Sequence, residues 1–184
     1  MQAQKNNSLD IDALEIDTSA CIDAQHNFNN CPWSKKLKLH HLSLSAFQPQ
    51  KAYDTIISNP PFFDNSLASK SIERNHARHN SSLHFNTIIS FAIKNLSKNG
   101  SLSLILPVDQ GLLCTINAEK YSLFLVRKCN VFPNSIKKQH RLLLEFSKTK
   151  KTLIESNLII ETNNRHEYTE DYKSLTRDFY IIFD

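Results

Sequence analysis

Glycine is nearly absent: the 184 residues contain only Gly100 and Gly111. A glycine-rich loop lets the backbone turn tightly against a ligand, because only glycine lacks the Cβ that blocks the approach. No such loop can be written ahead of residue 100. Cysteine is sparse and scattered (Cys21, Cys31, Cys114, Cys129) with no C-x-x-C pair, the pattern of reduced thiols in a cytoplasmic protein. Long apolar runs are missing as well. The longest, such as Leu102–Val108, are strand-length, far short of the roughly 20 residues of a membrane span. The opening MQAQKNNSLD has one lysine and no apolar segment, so it does not read as a secretory signal. His76, His79 and His84 stand in the polar run RNHARHNSSLH with no cysteine or carboxylate at a recognised ligand spacing, so no metal is expected.

What is present fits one soluble α/β domain, 1–184. Hydrophobic residues make up 40% and charged residues 22%, an ordinary globular balance. The net charge of +4 is uneven. Residues 1–150 hold 18 Lys/Arg against 11 Asp/Glu, and residues 151–184 hold 4 against 7. Basic clusters at Lys35-Lys36-Lys38, Arg74/Arg78, Arg127-Lys128 and Lys137-Lys138/Arg141 suit a polyanion, or equally a solvated basic surface.

Along the chain, Ile11–Ile16 reads as a short strand ending at an acid. Asp17-Thr18-Ser19 offers caps for a helix over Ala20–Asn30, which Pro32 ends. Leu37–His40 alternates like a second strand. Tyr53–Ser58 is the clearest strand, β-branched and stopped by Asn59-Pro60-Pro61. Helical spacing over Leu83–Leu96 runs into Lys98-Asn99-Gly100, a stop signal. A strand over Ser101–Pro107, a helix over Leu112–Tyr121, strands over Leu123–Val131, Arg141–Ser147 and Leu153–Glu161, and a short helix over Asp171–Leu175 complete the reading. Phe179–Phe183 closes the chain. Strands alternate with helices and then pair, so a mostly parallel sheet with an antiparallel C-terminal edge is expected.

The motif with chemistry in it is Asn59-Pro60-Pro61-Phe62. The exocyclic amine of adenine is a poor nucleophile because its lone pair is delocalised into the ring. An asparagine oxygen and a neighbouring backbone carbonyl can accept the two amine hydrogens and let the nitrogen pyramidalise toward an electrophilic methyl group. Two prolines keep that carbonyl aimed, and an aromatic ring can stack on the extruded base. The bland alternative is a strand-terminating turn.

YDTIISNPPFF followed by RNHARHNSSLHF resembles the bacterial tRNA (adenine-N6) methyltransferases that modify the adenosine beside the anticodon of a valine tRNA. The resemblance runs from Asp12 to the C-terminus, through IDALEIDTSA, QHNFNNCPW, GSLSLILP and SLTRDFYIIF. It implies a Rossmann-like class I methyltransferase fold with strand order 3-2-1-4-5-7-6, S-adenosylmethionine as cofactor and tRNA as partner, in a cytoplasmic monomer without membrane or metal. Glu15 would then accept hydrogen bonds from the cofactor's ribose hydroxyls. Ser43 stands where the family has an aspartate beside the cofactor's adenine, keeping a donor and acceptor without the charge. Asn59, Pro60, Pro61 and Phe62 would hold the target base, with Asn59 also bordering the cofactor. Arg74 and Arg78 would meet phosphate or close over the base.

The family begins with a strand running into a glycine-rich loop that cradles the cofactor's methionine end. Here the second family strand follows directly on residues 1–10, so the expectation is an N-terminally truncated domain lacking the first strand and that loop, with impaired cofactor binding. Calorimetric titration is the check on that expectation. Either the fourth family strand would pair directly with the second, or residues 1–10 would substitute; MQAQKNNSLD is too polar for a buried central strand. The alternative functions are a catalytically inactive nucleic-acid-binding remnant, and a methyltransferase acting on DNA adenine N6 or on protein glutamine.

Overall fold

The computed structural model describes residues 2–6, 9–60 and 85–180, which fall into two compact units, Met1–Pro49 and Gln50–Asp184. The first unit starts with a short helix α1 (Gln2–Lys5) and strand β1 (Ile11–Glu15). Helix α2 (Thr18–Asn29), a 3-10 turn (Ser34–Lys36) and strand β2 (Leu37–His41) follow. β1 and β2 are parallel, paired from Ile11 opposite Leu37 to Glu15 opposite His41, with α2 as the crossover that parallel neighbours require. Asp17 caps α2, accepting the Ala20 N–H at 2.8 Å. The Ser19 hydroxyl, with that N–H, holds the Asp17 carboxyl below its ordinary value. Asn30 closes the helix, donating from backbone and side chain to His26 O at 3.2 and 2.9 Å. The core of this unit is thin: among its described residues only Ala3 and Cys21 are buried apolar side chains.

The second unit carries strand β3 (Tyr53–Ser58), helix α3 (85–95), strand β4 (Leu96–Pro107) and helix α4 (Val108–Lys120). Strands β5 (Phe124–Phe132), β6 (Arg141–Ser147) and β7 (Ile154–Ile159) and helix α5 (Glu170–Thr176) follow. The sheet order is β3-β4-β6-β5-β7. β3–β4 and β5–β7 are parallel, while β6 runs against both β4 and β5. The fold is therefore α/β with a mostly parallel sheet, its one reversed strand toward the C-terminal side. Within each sheet the strand order, β1-β2 in the first unit and β3-β4-β6-β5 in the second, matches the corresponding parts of the expected order, and β7 is added at the edge.

Neither of the two alternative arrangements is found among the described residues. Residues 2–5 are helical, as Gln, Ala and Lys favour. The described ladder partner of β3 is β4 and not β1, so the strands form two sheets.

One face of the larger sheet is packed. Leu102, Leu104 and Leu106 on β4 lie opposite Phe146, Leu144 and Leu142 on β6, and all six are at most 3% exposed. α4 packs on this face: a Cβ on Gly111 would meet Leu142 Cδ1 at 2.8 Å. Gly111 therefore sits inside the helix as a close-contact residue, which explains why α4 begins at Val108 and not at Leu112. Burial pushes the nearby Cys114 thiol up to about 12, leaving it inert. α3 buries Phe85, Ile88, Ile89 and Ala92, a single helical stripe. On the opposite face, Ile57, Leu143 and Ile154 are 56%, 37% and 62% exposed.

Gly100 does not stop α3, which ends at 95. The ladder passes from Tyr53 opposite Leu96 to Thr55 opposite Ser101, so β4 carries extra residues there in a bulge. A Cβ on Gly100 would come within 2.8 Å of Tyr53 O, a backbone atom that cannot step aside alone. Gly100→Ala is expected to cost about 1–3 kcal/mol by overpacking. A thermal melt within a degree of the parent would show that the bulge can relax.

Candidate active site

Open α/β sheets bind ligands beyond the carboxyl ends of their strands, and the predicted site residues that are described stand at such ends. Asn59 and Pro60 follow β3 directly. Pro60 is buried and Asn59 is exposed, so the ring is packed while the carboxamide is free to meet a ligand. Pro61, Phe62, Arg74 and Arg78 lie outside the described residues.

In the first unit, Glu15 is the last residue of β1. Its Oε1 accepts two backbone N–H groups, from Ile16 at 2.7 Å and Asp17 at 2.9 Å. That fixes the carboxylate over the β1–α2 turn, and Oε2 accepts no hydrogen bond from the described residues. The chemistry fits a diol: a fixed anionic oxygen can accept from adjacent hydroxyls. The turn is also tied to β2, because His41 Nε2 lies 3.2 Å from Ile16 O. The Cys21 thiol donates to Glu15 O at 3.7 Å. Deeper in the same strand pair, Asp12 Oδ1 and His40 Nε2 are 2.7 Å apart, and the His40 ring lies 4.7 Å from that of Phe47.

Ser43 lies two residues beyond His41, the partner of Glu15. Its Oγ is 3.1 Å from Ser45 Oγ, and its carbonyl accepts from Ala46 and Phe47, so it opens a turn. The structure thus brings Glu15 and Ser43 to one end of the β1–β2 pair and sets Asn59 and Pro60 at the end of β3 in the second unit. Sequence reasoning missed His41 and Asp17 around Glu15. Asp17 bonds to Glu15 locally, two residues on, whereas the only signal for His41 is register, which places it opposite Glu15 and is not written locally.

Comparison with known proteins bears on the family and the fold. Residues 1–120 match the family described as the methyltransferase small domain. A tRNA1(Val) (adenine(37)-N6)-methyltransferase of Flavobacterium psychrophilum is 37% identical over 183 residues, covering 98% of this chain and 78% of that protein. Among solved structures, a predicted O-methyltransferase from Agrobacterium tumefaciens superposes with a TM-score of 0.73 at 16% identity, over 95% of this chain and 80% of its own. A glycopeptide N-methyltransferase in complex with S-adenosylmethionine gives 0.54 at 11% identity, over 77% and 73%. At those identities the two structures speak for the fold.

Proposed function

Because the chain belongs to the tRNA1(Val) (adenine(37)-N6)-methyltransferase family, with its methyltransferase small domain over residues 1–120, we propose that it methylates the N6 amine of the adenosine beside the anticodon of a valine tRNA. S-adenosylmethionine is the methyl donor. The observation that carries this reading is Asn59-Pro60 at the carboxyl end of β3, in a chain similar along 98% of its length to such an enzyme.

In this mechanism Asn59 Oδ1 accepts one hydrogen of the adenine amine and the Pro60 carbonyl accepts the other. The nitrogen lone pair is thereby turned out of the ring plane. Pro61 stiffens the turn, and Phe62 stacks on the flipped base. When bound, the cofactor supplies a methyl group already activated by its sulfonium, so the chemistry requires no metal. The proton that N6 would lose on accepting that methyl group passes to water, and no residue is assigned as general base. Glu15 would hold the ribose hydroxyls, Ser43 the adenine of the cofactor, and Arg74 and Arg78 the tRNA phosphates. The working form is a cytoplasmic monomer, a single methyltransferase domain.

The test incubates the chain with millimolar tritiated S-adenosylmethionine and, separately, tRNA, DNA and protein, followed by mass spectrometry of the digests. N6-methyladenosine in tRNA is the expected result. Label in DNA or on glutamine would move the assignment to those substrates. No label in any arm would favour an inactive nucleic-acid-binding protein.

A further inference from the structure

The basic clusters in the sequence are not equivalent once folded. Arg127 Nη1 lies 3.3 Å from Glu145 and Lys128 Nζ 2.8 Å from Glu155, so that pair is largely neutralised. Lys137 and Lys138 are exposed in the loop between β5 and β6, and among the described residues no ion pair involves either.

This loop is braced despite its exposure. Asn134 Oδ1 accepts the N–H groups of Ile136 and Lys137 at 3.2 and 2.9 Å. Gln139 Nε2 donates to Asn130 Oδ1 at 3.0 Å, and His140 N donates to Val131 O at 2.9 Å. The segment after β7 is laced to it, with Glu161 N donating to Pro133 O at 2.9 Å and Ser135 Oγ to Asn163 Oδ1 at 2.8 Å. The carboxylates of that segment face their own turn: Glu161 accepts from His166 N, and Glu167 from Thr162 and Asn164. Cations on a preformed loop bind with less ordering cost than cations on a floppy one.

The topology puts this loop at the same end of the sheet as the candidate site. β3 and β5 both run parallel to β4's direction, so residue 59 and residues 133–140 leave the same edge of the sheet. They are three inter-strand steps apart across the sheet, about 14 Å, and because Ser58 is level with Lys128 the loop begins four residues, roughly 13 Å, farther along the strand direction. At the tip, Ile136 is 81% exposed next to the two ammonium groups. An apolar tip flanked by cations suits a looped single strand, which offers splayed bases beside phosphates.

We propose that the laced loops 133–140 and 160–168 form a tRNA-binding wing, in which Lys137 and Lys138 hold backbone phosphates flanking the target nucleotide and Ile136 packs on an unstacked base or ribose. The inference rests on tRNA as the substrate. Its test is equilibrium binding of a valine tRNA transcript to the 184-residue chain, without cofactor, across a salt series. Lys137→Glu/Lys138→Glu is expected to weaken binding at least about tenfold at physiological salt. The log–log salt slope should flatten by roughly 1.4–1.8, two phosphates' worth. The charge-matched Lys98→Glu/Lys151→Glu, at the opposite edge, is expected to bind within about twofold of the parent, and melts of both variants exclude misfolding. Where methyl transfer is measured, KM for tRNA should rise in the first variant while kcat holds.

Parent-like binding by the first variant, or an equal loss in the second, would overturn the wing. A parent chain that binds no tRNA would sink the substrate reading and the wing together. The expected binding pattern without methyl transfer would leave the wing standing and remove the proposed activity.

Discussion

Asn59→Ala is expected to slow methyl transfer to tRNA by about 100- to 1000-fold, the usual loss when one transition-state hydrogen-bond partner is removed. The effect should fall on kcat. The amine hydrogens are most in need of an acceptor as N6 pyramidalises, whereas tRNA affinity comes mostly from phosphate contacts elsewhere. Asn59 is exposed and follows the last residue of β3, so its truncation should leave the melting temperature within about a degree or two of the parent. A single-turnover assay at millimolar cofactor separates the two quantities. Rates within threefold of the parent, with the fold intact, would remove Asn59 from the chemistry. A large loss of stability would mean that Asn59 serves the turn and not the base.

Why Asn59 could be found from sequence, and much of its surroundings could not, follows from what is local. Tyr53–Ser58 and Arg141–Ser147 are strands at those bounds, because alternation, β-branching and the prolines after Ser58 are written in consecutive residues. The Asp17 cap was legible for the same reason. The two glycines escape a local reading: Gly100 reads as a helix stop, and Gly111 falls just outside the helix expected over Leu112–Tyr121. Gly111 answers to Leu142 and Gly100 to Tyr53 O, contacts 31 and 47 residues away in sequence. The Glu15 cluster was half legible: the acid at a strand end is local, but His41 reaches Ile16 only through the β1–β2 pairing. Neutralisation of Arg127 and Lys128, which singles out Lys137 and Lys138, likewise needs the ladders that bring Glu145 and Glu155 alongside.

The other large effect concerns the sheet that carries Asn59. Phe146 is fully buried, opposite Leu102 on β4 and Leu125 on β5. Phe146→Ala is expected to cost about 3–5 kcal/mol, through lost transfer energy and the cavity left behind. For a chain of this size that corresponds to a drop of roughly 6–20 °C in melting temperature. It is also a large share of a typical domain stability of about 5–15 kcal/mol. Ile57 makes the informative comparison. It lies on the opposite face of the same sheet, 56% exposed, in the rung that runs through Ser103, Glu145, Arg127 and Ile154. Ile57→Ala should cost well under 1 kcal/mol, since little of its surface leaves water on folding. Differential scanning calorimetry of the two variants decides the matter. If they fall equally, the Ile57 face is covered in solution and the packed face is not the sole core of this unit. If Phe146→Ala melts within about 2 °C of the parent, the Leu102–Phe146 rung is not the centre of the fold.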